Sequence, residues 1–135
     1  MSGSAWLRLA AVLGGLAVAL GAFGAHGLKG KLEALQTTAI YHTAVQYHFY
    51  HALALLAVGL VALQGRSGPA LVIAGWSFTV GVLIFSGTLY ALALSGIKWL
   101  GAITPIGGVA LIFGWVALAV AAGDVVKPAA GGAEI

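Results

Sequence analysis

Four apolar runs, each close to the length of a membrane span, dominate this sequence. They cover about residues 5–24, 44–64, 71–95 and 99–122, and the charged residues fall in or beside the breaks between them. An α-helix needs about 20 apolar residues to cross the hydrocarbon core of a bilayer, whereas a transmembrane β-barrel would show short alternating segments. The pattern therefore predicts an all-α, polytopic integral membrane protein with four transmembrane helices in an antiparallel bundle.

The composition also indicates a protein embedded in a membrane. Of the 135 residues, 61% are hydrophobic and 7% are charged, which lies outside the soluble globular range. We predict one transmembrane domain over residues 1–123 and a short polar tail over residues 124–135. The first run is longer than the apolar core of a secretory signal, so we predict an uncleaved helix. Ahead of the second run, "KLEALQTTAIYHT" predicts a short interfacial helix, or a helix that continues straight into the second span.

Charge and cysteine content exclude several functional classes. The formal charge of +3 comes from bases scattered over the loops, without the basic stripe of a nucleic-acid-binding protein. The absence of cysteine excludes disulfides, thiol catalysis and thiolate metal sites. Lysine and arginine are balanced between the two sides of the predicted bundle, so the positive-inside rule leaves the orientation open.

A polar stretch, "AVQYHFYHALAL" (44–55), interrupts the second apolar run. The purely apolar part that follows, residues 52–63, makes only about 18 Å of helix, so a complete span has to include the polar stretch. Together with the two residues before it, its polar side chains form two i, i+4 ladders, and we predict that both turn inward, away from lipid. The ladders are Thr43, Tyr47 and His51, and His42, Gln46 and Tyr50.

Antiparallel connectivity places most of the intramembrane polarity in one leaflet. This predicts a polar half-pocket that binds or translocates a small solute, a lipid headgroup or a proton. Its predicted lining is His26, Gln46, Tyr47, His51, Ser86, Tyr90 and Thr104.

Four sequence blocks resemble a known membrane family. "GAFGAHGLK" (21–29), "AVQYHFYHALALL" (44–56), "FSGTLYALALSG" (85–96) and "ITPIGGVALIFGW" (103–115) are similar to the signature blocks of the domain of unknown function 423 family, which includes transmembrane-protein-256-like proteins. The resemblance covers residues 5–122 and implies a four-span helical protein of the bacterial plasma (inner) membrane, with no established activity. Where relatives are expected to have glutamine, this chain has His48, which weakens a paired role for His48 and His51. The resemblance carries over to Gly21, Gly24, His26, Tyr47, His51, Ser86, Gly87, Tyr90, Thr104, Pro105, Gly107 and Gly108, of which Gly21, Gly24, Pro105, Gly107 and Gly108 are assigned structural roles.

The sequence also leaves open functions other than ligand binding in the predicted pocket. The same polar residues could hydrogen-bond one another in a structural or assembly subunit without a ligand, and a homo-oligomer is one form of such an assembly. A minor alternative is a metal or haem site at His48 and His51, although the spans contain no carboxylate. Ser86 or Thr88 with His51 lacks an acidic orienting residue, so an enzyme is disfavoured. We expect no cofactor; the expected partners are bilayer lipid and an unidentified small solute or lipid, and no nucleic acid.

Overall fold

The computed structural model describes residues 1–123, and these form helices connected by short turns. Four stretches are long and apolar enough to span a membrane, namely the first, third and fourth α-helices and residues 98–123. The prediction of an all-α polytopic membrane protein is thereby confirmed, whereas the predicted polar tail lies outside the described residues. The elements are α1 (Gly3–Ala25), α2 (Lys29–Leu35), α3 (Thr38–Leu63), α4 (Pro69–Ser95), a 3-10 helix (Lys98–Ala102) and α5 (Thr104–Gly123).

Helices α3 and α4 form the centre of the bundle, and α1 and α5 flank them. In the most apolar stretch of each span, 44% of residues are buried in α3 and in α4, compared with 17% in α1 and 22% in the span containing α5. Helix α1 packs along α3, α3 along α4 and α4 along α5, whereas α1 and α5 do not pack along each other. Helices α3 and α5 likewise do not pack along each other, which leaves a groove between them.

Small residues allow the backbones of neighbouring helices to approach closely. A Cβ atom at Gly107 of α5 would collide with the backbone of Phe85 on α4, and one at Gly75 of α4 would lie 2.6 Å from the ring of Trp6 on α1. Because lipid is as apolar as a leucine side chain, association between spanning helices depends on this close packing. The structural role assigned to Gly107 from the sequence thus has a physical explanation in the α4–α5 contact.

The short helix α2 packs against α1, α3 and α4. Leu32 is its buried residue, and Gln36 ends the helix in the left-handed conformation, with φ of 55°. The Thr37 hydroxyl then donates to the Ala93 carbonyl of α4, at 2.7 Å, which ties the start of α3 to the end of α4. Helix α3 consequently begins at Thr38, earlier than the sequence-based estimate of residue 44.

Pro105 lies in the first turn of α5, directly after the 3-10 helix. Its missing N–H would have no helical partner in this turn, so proline is compatible with the helix start. The irregular stretch therefore lies before α5, in the 3-10 segment, and Pro105 introduces no interruption within α5.

Candidate functional site

His51 lies on the buried face of α3, and only 6% of its surface is exposed. Its Nδ1 is 2.7 Å from the Tyr47 carbonyl oxygen, and its Nε2 is 3.1 Å from Nε1 of Trp115 on α5. A carbonyl only accepts and an indole N–H only donates, so Nδ1 carries the hydrogen and Nε2 accepts. The ring is therefore the neutral Nδ1–H tautomer, and both of its nitrogens have protein partners.

His48, one turn earlier, faces a different set of neighbours. Its Nδ1 is 3.1 Å from the Tyr90 hydroxyl. Its ring approaches the backbone carbonyl of Leu13 on α1, yet the buried Nε2 makes no hydrogen bond. His48 thus contacts α1 and Tyr90 of α4, whereas His51 contacts Trp115 of α5, and the metal or haem alternative loses its two candidate ligands as a pair. Among residues 1–123, no group of three side chains of His, Asp or Glu is placed to hold a metal ion.

Ser86 and Thr104, two of the predicted pocket residues, hydrogen-bond within the bundle. The Ser86 hydroxyl donates to the Ala44 carbonyl of α3 at 2.8 Å, and Ser86 is 1% exposed. The Thr88 hydroxyl donates to the Ile84 carbonyl at 2.7 Å and also lies 2.8 Å from the Thr104 hydroxyl. Thr104 therefore donates to Thr88, and these side chains connect α3, α4 and α5 to one another.

Tyr41 is a buried polar residue that the predicted pocket omitted. Its hydroxyl donates to the Leu20 carbonyl of α1 at 2.6 Å, and its ring meets Tyr90 edge-on at a centroid distance of 5.3 Å. A Cβ atom at Gly24 would collide with this ring, so Gly24 makes room for it. The signal was present in the sequence, because the buried positions of α3 recur at spacings of three and four. The positions at this spacing are Tyr41, Ala44, His48, His51, Leu55 and Val58, and Ala52, Ala54 and Gly59 beside them are also buried.

The same spacing turns the second polar ladder outward. His42, Gln46 and Tyr50 are all exposed on the surface of α3, so the prediction that both ladders face inward is wrong for this one. In the first ladder His51 is buried, whereas Tyr47 is exposed. His26, the residue that follows the last turn of α1, is also exposed. The fold does not bring the seven predicted lining residues into one cavity: Gln46 and His26 face outward, Tyr90 contacts His48, and only Tyr47 and His51 border a groove between α3 and α5.

This groove runs between α3 and α5 and has a volume of about 620 Å³. We call it the α3–α5 groove. It exists because α3 and α5 pack on α4 but not along each other, so Phe85 of α4 stays partly exposed between them. Trp115, the partner of His51, was not among the predicted site residues. The lining consists of Tyr47, Tyr50, His51, Phe85, Gly108, Leu111, Ile112 and Trp115.

Comparison with known proteins identifies the family. The family model described as "Protein of unknown function (DUF423)" matches residues 20–108. The chain belongs to this family. It is 48% identical over 119 residues to the UPF0382 membrane protein YwdK of Bacillus subtilis, covering 87% of this chain and 94% of that protein. It is 44% identical over 114 residues to a UPF0382 membrane protein of Haemophilus influenzae, covering 84% of this chain and 90% of that protein. No solved structure matches.

These relatives confirm the resemblance inferred from the four sequence blocks. Their names describe bacterial membrane proteins and state no activity. Together with the four apolar helices, they establish the chain as an integral membrane protein. The coarse functional conclusion is therefore a membrane protein of the DUF423 family, and a finer function has to be argued from the site.

The Tyr41 hydroxyl provides a first test of the site geometry. We expect Tyr41→Phe to lower the free energy of unfolding by about 1 kcal/mol, because it removes the hydrogen bond to the Leu20 carbonyl. Tyr50→Phe is the matched control, since the Tyr50 hydroxyl makes no hydrogen bond to any described residue. Denaturant titration in detergent micelles measures both. Equal stability of the two variants would contradict the assigned role of Tyr41.

Proposed function

We propose that this protein binds a lipid-like ligand, an apolar chain with a hydrogen-bond-accepting group, in the α3–α5 groove. The observation that carries the proposal is a groove of about 620 Å³ that opens sideways between two spanning helices. A ligand dissolved in the bilayer can reach such an opening directly. The size falls within the range of pockets that hold small molecules, about 300–1,000 Å³.

The lining of the groove favours an apolar chain. Phe85, Leu111, Ile112 and Trp115 contribute aromatic and aliphatic surface, and the nitrogens of His51 are occupied by protein partners. Such a surface offers shape and dispersion contacts to a hydrocarbon chain or ring and little to a hydrated ion.

Tyr47 supplies the polar group of the proposed site. Its ring stacks on Phe85 at a centroid distance of 4.4 Å, which holds the side chain against α4. Its hydroxyl makes no hydrogen bond within residues 1–123, although a hydroxyl in an apolar environment gains from a partner. An ester or ketone oxygen of the ligand would accept this hydrogen bond, so binding combines an apolar chain with one acceptor.

The internal hydrogen bonds support binding over translocation of a polar solute. Ser86, Thr88, Thr104 and His51 already have protein partners, so a polar solute crossing the bundle would have to break them. The proposal accordingly keeps the binding half of the sequence-based hypothesis and drops the proton and the hydrated solute as ligands.

Filling the groove tests the proposal. Gly108 borders it, and a Cβ atom there would meet Phe85 at an ordinary contact of 3.6 Å. We expect Gly108→Leu to fold and to reduce co-purified lipid at least tenfold, as measured by native mass spectrometry of protein released gently from its own membrane. Gly87→Leu is the matched control, because its Cβ has nothing within 4 Å and it lies outside the groove.

Equal lipid retention by the two leucine variants would overturn the proposal. The second candidate, a structural or assembly subunit, is supported by the hydrogen bonds that join α3, α4 and α5. It predicts that the wild-type protein is purified from its membrane without a stoichiometric ligand. It also predicts that Gly108→Leu changes the stability of the protein but not the amount of co-purified lipid.

A further inference from the structure

Side chains with rings dominate the lining of the α3–α5 groove. Five of its eight lining residues carry an aromatic or imidazole ring, namely Tyr47, Tyr50, His51, Phe85 and Trp115. An acyl chain gains dispersion contacts from any apolar side chain, so leucine and isoleucine would serve it as well. A ligand that consists of acyl chains alone therefore does not explain why so many rings meet here.

These rings lie deep in the membrane. Tyr47, Phe85 and Trp115 are about 14–17 Å from the start of α3, the end of α4 and the start of α5, respectively, at 1.5 Å per residue. The three helix ends lie on the same side of the bundle, because neighbouring helices in it are antiparallel. The hydrocarbon core is about 30 Å thick, so the rings are close to its middle. Tyrosine and tryptophan side chains that anchor a span lie at the headgroup level, so anchoring does not account for these residues.

Three of the rings have nearly parallel planes. The Tyr47 ring lies 26° from the plane of Phe85 and 25° from that of His51, with centroid distances of 4.4 and 5.9 Å. The Trp115 ring is inclined at 65° to the His51 ring, and its indole N–H donates to that ring at 3.1 Å, which fixes its orientation. The groove thus combines a set of flat surfaces with a steeply inclined one, an arrangement that suits a planar ring.

Gly108 keeps the ring of Phe85 accessible. A Cβ atom at this position would lie 3.6 Å from that ring, so the glycine borders the ring without covering it. Phe85 is accordingly only partly buried, and Trp115 is 49% exposed. Aromatic surface of both α4 and α5 is therefore available to a ligand in the groove.

We infer that the ligand of the α3–α5 groove is an isoprenoid quinone, a planar ring with carbonyl oxygens on a long apolar tail. This inference rests on the proposed function and names the ligand class. The quinone ring lies against Tyr47 and Phe85, and one of its carbonyl oxygens accepts a hydrogen bond from the Tyr47 hydroxyl. The tail leaves through the side opening of the groove and enters the bilayer.

The electronic character of the rings favours a quinone over a glycerolipid. The face of an aromatic side chain is electron-rich, whereas the ring of a quinone is electron-poor because its carbonyl groups withdraw electrons. Stacking of the two is therefore attractive. The ester oxygen of a glycerolipid would also accept from Tyr47, so this hydroxyl does not distinguish the two ligands, but a glycerolipid has no ring to place on the parallel planes.

Two probes with the same tail test the inference. One is a naphthoquinone bearing a geranylgeranyl chain, and the other is geranylgeranyl acetate, which keeps the tail and a carbonyl acceptor but has no ring. Native mass spectrometry of the delipidated protein in detergent measures the binding of each. We expect the wild-type protein to bind the naphthoquinone at least tenfold more tightly. A benzoquinone with the same tail shows whether one ring or two are preferred.

Substitutions in the groove separate the ring from the hydrogen bond. Phe85→Leu keeps an apolar side chain but removes a ring, and we expect it to reduce the preference for the quinone to about threefold or less. Phe113→Leu is the matched control, because Phe113 is 58% exposed on α5 and lies outside the lining. Tyr47→Phe keeps the ring and removes the hydroxyl, so it should weaken both probes equally and preserve the preference.

The outcomes distinguish this inference from the proposed function. If the wild-type protein binds both probes equally and Gly108→Leu loses both, the groove holds a lipid-like ligand but the quinone is refuted. If Gly108→Leu retains the naphthoquinone, the quinone binds elsewhere and the inference is wrong. If neither probe binds and no lipid co-purifies, both the inference and the proposed function are overturned.

Discussion

Replacing His51 with alanine is expected to lower the free energy of unfolding by about 2–4 kcal/mol. The substitution removes a buried ring that packs against Phe78 and Trp115, at centroid distances of 5.8 and 6.0 Å, and leaves a cavity. It also removes the acceptor of the Trp115 indole N–H, which is then left without its protein partner. Helices α3 and α5 have few other contacts, so this hydrogen bond is a main connection between them.

The matched control is His26→Ala, because His26 is exposed at the end of α1 and its side chain makes no hydrogen bond to a described residue. We expect this variant to unfold at the wild-type denaturant concentration. A double-mutant cycle of His51→Phe with Trp115→Phe isolates the hydrogen bond from the packing, and a coupling energy of about 0.6–1.7 kcal/mol is expected. Zero coupling would refute the tautomer and the hydrogen bond assigned to His51.

The membrane fold could be predicted because the length of each apolar run can be read directly from the sequence. Twenty apolar residues have few other ways to satisfy their backbone than a spanning helix, so the four runs led directly to α1, α3, α4 and the 98–123 span. The start of α3 was harder to predict. It depends on Gln36 in a left-handed conformation and on the Thr37–Ala93 hydrogen bond, which joins residues far apart in the chain.

The candidate site was only partly predictable. A helical wheel shows which side chains share a face of one helix, but it does not show which residues of other helices they contact. His51 was expected inside the bundle and is buried there. Gln46 was expected inside as well, yet the buried stripe through Tyr41, His48 and His51 leaves it on the opposite face. Trp115 was missed because its role depends on α5 packing on α4 close enough to α3 for the indole to reach His51, an arrangement that no local pattern encodes.

The open arrangement of the helices explains why the polar residues do not form one pocket. A square bundle with α1 against α5 would enclose a central space that residues from all four helices could line. Here α1 and α5 lie on opposite flanks, so the polar residues pair with the nearest helix across each interface. Tyr41 pairs with α1, Ser86 with α3, and Thr104 with α4.

The second large effect is expected at Gly107, where α5 touches the backbone of α4. We expect Gly107→Leu to lower the free energy of unfolding by at least about 3 kcal/mol, or to prevent folding, because its Cβ would collide with the backbone nitrogen and Cα of Phe85. A flexible side chain could move away from the added atom, but the backbone of a helix cannot do so without separating α4 from α5. The loss of Thr104–Thr88 contact and of the Trp115–His51 hydrogen bond would follow from that separation.

The neighbouring Gly108 supplies a strict control for this prediction. Gly108→Leu makes the same chemical change one residue away, with the same gain in helix propensity, but its Cβ only reaches ordinary contact with the Phe85 ring. Thermal unfolding in detergent, followed by circular dichroism, should therefore separate the two variants widely. If both leucines were tolerated equally, α5 could not lie against Phe85 through Gly107, and the α3–α5 groove that depends on this packing would have to be abandoned with it.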